Sequence, residues 1–406
     1  MSRKTILMLL ESNFIEDERV KKECIVLSDS GFEIHILFPK FKNQLDSKDT
    51  FEYPSVFMHP FEVEKSIFNK MLGTCIVFPF YFNFWFKKAD QLIKTFSSID
   101  CLYIHDLPLA KVGVRLKKKY KSILICDQHE FYSDWIVRAK HMNTFTGKIV
   151  KRFSDWKKYE KTSLLKSDLV VTVTPELVAK YSQEISVDSN KIVSLPNTPM
   201  KQFYQNETLL DASVIGKYEN NSSNRVIYVG ANLSFERGLN LMIDAIPLII
   251  KKIPDFKFMV LGKPHSSYDI VKHIEENKVE KYVELIGMVP NNMIPSYLKC
   301  CSIGVNLHDP RSEEINNTIP TKIYQYVAIN LAVVSSDCKM ITKFINDSNI
   351  GAIVDHNAID LADKMIELLE NKNVLETKKE NTKNIQSMFW EETSKNWLEK
   401  VKLLLN

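Results

Sequence analysis

The chain lays out one pattern twice. Short apolar runs of strand length alternate with stretches of helical period. In the first half the runs are Thr5–Leu10, Phe32–Phe38, Cys101–His105, Ile123–Asp127, Leu169–Thr174 and Lys191–Leu195. Arg19–Leu27 falls between the first two at amphipathic helical spacing and stops at Gly31. In the second half the runs are Arg225–Gly230, Lys257–Gly262, Val283–Gly287, Cys301–Asn306 and Ala332–Ser336, with a helix predicted over Leu239–Ile250. Strands separated by helices pair in parallel and are covered on both faces. Residues 199–224 break the pattern with Asn206, Asn220, Asn221 and Asn224, and read as a linker or surface excursion. A chain of 406 residues exceeds one ordinary core and divides into two. The expected domains are 1–198 and 225–388, facing each other. Ligands of open parallel sheets sit beyond the carboxyl ends of the strands, so the cleft between the domains is the expected site.

Met1-Ser-Arg-Lys leads into a run of strand length rather than into an apolar leader with a cleavage site. Seven cysteines without Cys-x-x-Cys spacing read as scattered buried thiols in a reducing compartment. A cytoplasmic location is therefore expected. Charge is uneven. Residues 87–166 hold 18 Lys/Arg against 8 Asp/Glu, a local excess of +10 within a net +4. Such a field favours an anionic partner. Met71–Phe86 is strongly aromatic but is interrupted by Pro79 and Asn83, and Lys87-Lys88 follow it. It is too short to span a bilayer. Together with Lys117-Lys-Lys119 and the stretch Lys148–Lys161, it suits docking on an anionic membrane surface at the inner face. A core helix beside solvated basic faces reads equally well. No nucleic-acid motif accompanies the basic residues.

Four segments carry candidate chemistry. Asn317-Thr-Ile-Pro-Thr-Lys-Ile-Tyr-Gln325-Tyr326 reads as a loop and then a helix opening near Pro320. Helix N-termini bind phosphates through unpaired N–H groups, and Pro in the first turn sacrifices none that is needed. Gly230-Ala-Asn-Leu-Ser-Phe-Glu-Arg-Gly238 is a turn with a guanidinium before a glycine. Tyr103-Ile-His-Asp-Leu107 and Asp127-Gln-His-Glu-Phe-Tyr132 place His105, Asp106, His129 and Glu130 at strand ends. Asp17, ahead of Arg19, fits a helix N-cap.

Together these segments resemble the retaining glycosyltransferases of family 4 (group 1), which have the two-domain GT-B fold. The resemblance runs from Asp17 to Ser336. It implies an α/β architecture of two Rossmann-like domains facing across a cleft, with a C-terminal helix, 389–406, returning to the first. It assigns donor binding to Gly230, Arg237, Asn317, Thr318, Ile319, Thr321, Lys322 and Gln325. Arg237 would clamp phosphate with its fork, amides near Ile319, Thr321 and Lys322 would meet the diphosphate, and Gln325 would meet the ribose. It assigns His129 to the catalytic cleft, with Asp127 and Glu130 orienting it or shaping the acceptor pocket. Asp17, Arg19, His105 and Asp106 fall on the acceptor side. Where the family carries two carboxylates, this chain has Asn317 and Gln325, and Ala231 stands where an Arg is frequent.

The reading that follows is a retaining, metal-independent hexosyltransferase. It would move sugar from a nucleotide-diphosphate donor to a glycan or lipid-linked glycan, as in surface polysaccharide assembly. No cofactor, metal or nucleic acid is expected. The amide substitutions motivate an alternative, a non-catalytic GT-B module that binds nucleotide-sugar or glycan and partners an active transferase. The Pro-x-Lys helix argues against an epimerase or phosphorylase.

Overall fold

Among the described residues, seven parallel strands form the first sheet: β1 (Thr5–Leu9), β2 (Glu33–Phe41), β3 (Val56–Val63), β4 (Cys101–His105), β5 (Ile123–Gln128), β6 (Leu169–Thr172) and β7 (Ile192–Ser194). The computed structural model describes residues 3–41, 51–73, 75, 78–138, 153–204, 206–218, 223–311, 313–385 and 388–405. Strand order is β3-β2-β1-β4-β5-β6-β7. Every residue of β1 and β4 is buried, without alternation. That is the mark of parallel strands covered on both faces. β3 escapes the sequence pattern because it is half exposed and carries Pro60. It lies at the sheet's edge, where a missing N–H is tolerated. Helices α1 (Glu18–Asp29), α2 (Phe80–Ile93) and α3 (Leu107–Tyr120) pack beside this sheet.

The aromatic stretch divides at Pro79, the N-cap of α2. Tyr81, Phe82 and Trp85 enter the core, whereas Phe78 and Phe80 are 50% and 67% exposed. Of the basic stretch Lys148–Lys161, residues through 152 and the Phe153 side chain lie outside the described residues. The described part is helical and buries Trp156 and Tyr159. No described helix is long and apolar enough to cross a membrane.

The second unit holds a six-stranded parallel sheet among the described residues: β8 (Arg225–Leu233), β9 (Lys257–Pro264), β10 (Val283–Gly287), β11 (Ile303–Asn306), β12 (Ala332–Ser336) and β13 (Gly351–Val354). Its order, β10-β9-β8-β11-β12-β13, repeats the first six positions of the first sheet. In each sheet the order reverses between the first and fourth strands, and ligands bind beyond the carboxyl ends at such a reversal. α4 (Leu239–Ile249) follows β8, and α5 (Thr321–Ala328) precedes β12.

The units comprise Met1–Pro196 with Ser394–Asn406, and Asn197–Thr393. The stretch 199–224, expected as a linker or surface excursion, belongs with the second unit. Its described part forms helices at Lys201–Tyr204 and Ala212–Tyr218, and Val214 and Tyr218 join that unit's core. Apolar residues among the asparagines supply the anchor. The C-terminal helix α6 (Lys395–Leu405) groups with the first unit. Its buried Trp397 donates Nε1–H to the Tyr103 hydroxyl on β4 at 3.2 Å.

Candidate functional site

The first cluster gathers at the carboxyl ends of β4 and β5. Asp17 caps α1, accepting from the N–H groups of Arg19 and Val20 at 3.1 Å. The cap fixes the first turn and aims Arg19 inward. Arg19 then grips Asp127 as a fork, Nε to Oδ2 and Nη2 to Oδ1, both at 3.1 Å. Nη1 reaches the Leu195 carbonyl at 2.7 Å, and Glu23 lies 3.2 Å from Nε. Arg19 and Asp127 are both sealed from solvent, so the pair is held by matched geometry rather than by screening water.

His129 bridges two carboxylates. Nε2 lies 3.2 Å from Asp127 Oδ2 and Nδ1 lies 3.4 Å from Asp106 Oδ1. Burial pulls its pKa down, but Asp127 and Asp106 outweigh that and hold it at about 10. The two carboxylates thus favour the imidazolium form of His129. Burial opposes ionisation of Asp127, yet Arg19 and His129 keep its carboxyl well below the usual range. Burial pushes Asp106 up, and its backbone takes φ 65° and ψ 151°, sparsely populated for a residue with a side chain. Strain of this kind costs on the order of 1–3 kcal/mol and concentrates at functional sites.

Arg19 and His105, expected on the acceptor side, are buried and face Asp127. His105 Nδ1 is 3.6 Å from Asp127 Oδ2. Asp106 and His129 retain some exposure, as does Glu130, whose carbonyl accepts from the Tyr181 hydroxyl. His105, Asp127 and His129 offer atoms within 4.8 Å of one another, a spacing that suits a metal. Both oxygens of Asp127 already serve Arg19, and a dication would meet a guanidinium and an imidazolium. The residues fit the ion-pair network better than a metal.

The second cluster gathers at the ends of β8 and β11. Gly238 follows Arg237 with φ 70°, and a Cβ there would stand 1.7 Å from the Leu307 carbonyl oxygen. Only glycine allows this turn to close against β11. Closure brings Arg237 to His308, with Nη1 donating to Nε2 at 2.7 Å. Nε2 accepts, so His308 carries its proton on Nδ1. Burial, then Lys322 and Arg237, depress its pKa and keep it neutral.

Lys322, in the first turn of α5, is buried with Nζ 4.1 Å from the Tyr228 ring centroid. Its Nζ, the Tyr228 hydroxyl and His308 Nδ1 have no hydrogen-bond partner among the described residues. A desolvated cation–π contact is worth about 2 kcal/mol. Burying an ammonium costs several kcal/mol even after relaxation. The ring therefore offsets only part of the penalty, and burial followed by Arg237 lowers the lysine pKa well below its ordinary value.

The helix start differs from expectation. A short helix, Glu313–Asn316, ends before Asn317, and Asn317–Thr318–Ile319 are loop. Pro320 is the extended N-cap, and α5 begins at Thr321. Gln325 Nε2 donates to the Tyr204 hydroxyl at 2.8 Å, leaving its carbonyl oxygen as acceptor. Gly230 sits where an added Cβ would meet the Tyr228 hydroxyl at 2.6 Å. Sequence reasoning missed Tyr228, His308 and Glu23. His308 stands two residues past an apolar strand, so the strand-end rule was the available signal. Tyr228 and Glu23 read as ordinary strand and helix positions.

Residues 223–371 match the family described as glycosyl transferases group 1. The alpha-monoglucosyldiacylglycerol synthase of Acholeplasma laidlawii is 20% identical over 356 residues, 86% of this chain and 83% of the relative. Sucrose-phosphate synthase from Thermosynechococcus elongatus superposes with a TM-score of 0.74 at 13% identity, covering 99% of both chains. Anabaena HepE in complex with UDP gives 0.66 at 13% identity, over 98% of this chain and 99% of that one. The two parallel sheets of matching order give the chain the GT-B fold, and its second sheet lies within the stretch that matches the group 1 glycosyl transferases.

Proposed function

We propose that the chain is a retaining hexosyltransferase that binds a nucleotide-diphosphate sugar through the second unit. One observation carries the reading. Arg237, Lys322, Tyr228 and His308 converge at the carboxyl ends of β8 and β11, and among the described residues none of the four touches a carboxylate. Four convergent donors with no acid call for an anionic ligand rich in oxygen acceptors, and a diphosphate supplies one. Thr321 and Lys322 open α5 beside them, adding the positive end of a helix. Gln325 would accept from a ribose hydroxyl through the oxygen that Tyr204 leaves unused.

The first unit would serve the acceptor. His129 as an imidazolium and Asp127 as a tied carboxylate leave neither group to take the acceptor's proton. In retention by front-face displacement, the acceptor hydroxyl attacks the anomeric carbon while the bond to the diphosphate breaks. The hydroxyl proton then passes to the departing phosphate oxygen. The protein positions the reactants and stabilises charge, without a covalent nucleophile or a metal. A relative named as an alpha-monoglucosyldiacylglycerol synthase, with Phe78 and Phe80 exposed at the start of α2 and Lys87 exposed farther along it, supports a lipid-linked glycan acceptor reached from an anionic membrane surface, in surface polysaccharide assembly.

The test is a thermal-shift panel of UDP, GDP and dTDP, followed by hydrolysis of the matching sugar donors with and without EDTA. One nucleotide should raise the melting temperature. Arg237→Ala should weaken its binding by one to two orders of magnitude, about 1.5–3 kcal/mol for a charged hydrogen bond. A protein that binds a nucleotide yet never turns over its sugar would be the non-catalytic module instead. A protein that binds none would end both readings.

A further inference from the structure

The second cluster has an electrostatic problem that its ligand can solve. Lys322 Nζ is buried and has no hydrogen-bond acceptor among the described residues. Facing it are the Tyr228 ring from β8, the Arg237 guanidinium from the turn after β8, and His308 from the end of β11. β12 brings no titratable residue to α5. Thr382 and Lys383 of the helix Lys372–Lys383 line a cavity with Tyr324, Val327 and Ala328 of α5, away from Lys322, and the helix Lys201–Tyr204 meets α5 at Gln325. Among the described residues, every titratable neighbour of Lys322 is thus positive or neutral. An ammonium there would hold three N–H donors in a buried site beside a second cation.

Resting on the diphosphate reading above, we propose that Lys322 enters donor binding as a neutral amine and captures one proton from solvent as the diphosphate arrives. The amine lone pair forms the new N–H bond, and buffer supplies the proton. Once phosphate oxygens face it, the ammonium gains the acceptors and the counter-charge that the protein withholds. The lowered lysine pKa agrees with this state of the unliganded site. Arg237 is charged throughout, and His308 stays neutral because Arg237 occupies its Nε2. The site therefore presents one fixed charge to solvent and completes the second only around its ligand. A buried carboxylate near the donor would have neutralised Lys322 in advance and weakened the phosphate contact.

The coupling is measured by titration calorimetry of the full chain with UDP at pH 8, in Tris and in HEPES. A phosphate monoester's second ionisation lies near about 6, so UDP is fully ionised and has no proton left to release. Binding enthalpies in the two buffers should differ by the difference between the buffers' ionisation enthalpies, multiplied by one proton taken up. Affinity should fall about tenfold per pH unit above the pKa of the free lysine. Lys322→Met should bind more weakly with no uptake. Lys322→Arg, charged in both states, should bind with no uptake. Equal enthalpies in both buffers for the wild type would overturn the proposal while leaving the donor reading intact. Uptake that persists in Lys322→Met would assign the proton elsewhere and overturn it as well. Absence of UDP binding, with GDP and dTDP also silent, would fail the donor reading first and this proposal with it.

Discussion

Asp127 accepts two bonds from Arg19, a third from His129, and faces His105, so its carboxylate organises three side chains from three segments. His129 reports on that arrangement through pH. In the folded chain its pKa is about 10, against about 6.5 when unfolded. A group raised on folding contributes stability that is complete below the unfolded value and is lost as pH rises through the folded one. The stability owed to His129 is therefore full below about pH 6.5 and gone above about pH 10. Lys22 and Glu23 also titrate near 7, so a single pH profile mixes several groups. The difference in urea midpoint between wild type and His129→Gln isolates the one of interest. It should shrink steadily from pH 6.5 to 10. A difference that stays constant across that window would mean His129 is neutral and free to act as a base.

At the scale of elements, α5 is aligned by one phenol. Tyr326 donates to the Val305 carbonyl on β11 at 3.2 Å and accepts from the Val229 N–H on β8 at 3.1 Å. Its ring lies over Gly304, where an added Cβ would stand 2.3 Å from the ring. Tyr326→Phe would strand the buried Val229 N–H, at a cost of about 1–3 kcal/mol. It would also loosen Lys322, one turn earlier on the same helix. The melting temperature and UDP affinity should both fall. A stability loss with unchanged affinity would show that the tyrosine holds the fold without positioning the site.

The alternation of apolar runs made both sheets legible, because buried parallel strands are uniformly apolar. Gly351–Val354 was too short, and Val56–Val63 too polar and Pro-bearing, to announce themselves. Arg237, Lys322 and the strand-end histidines were legible from motif and position. What spacing could not reveal was which partner each side chain chooses. Arg19 read as an acceptor-side residue, and its guanidinium is paired with Asp127. Pro320 read as the first turn but stands outside it, since its extended ψ of 142° lets the loop enter at an angle. Tyr228 was invisible because an aromatic in a strand is usually only packing.

At the scale of the molecule, charge is distributed by half. The excess of +10 over residues 87–166 leaves Lys87, Lys111 and Lys118 exposed on α2 and α3. Aromatic and basic groups interleave there. Lys111 lies 4.8 Å from the Phe82 ring centroid and Arg115 lies 4.2 Å from that of Phe86. Phe80 opens α2 at 67% exposure, with Phe78 stacked 6.2 Å away. Burying two phenyl rings in a headgroup layer adds apolar gain to the pull of several lysines, each worth about 1 kcal/mol near an anionic surface. The proposed membrane docking therefore predicts a specific salt response. The chain should co-sediment with phosphatidylglycerol-containing vesicles at low ionic strength and release at 1 M salt, where the screening length falls to about 3 Å. Phe80→Ala should weaken retention on anionic vesicles without altering UDP affinity, because Phe80 belongs to the first unit and the donor cluster to the second. Equal retention on neutral phosphatidylcholine vesicles would replace charge with apolar contact as the driving force. No retention at low salt would remove the membrane from the functional reading, and the acceptor would then have to reach the protein in solution.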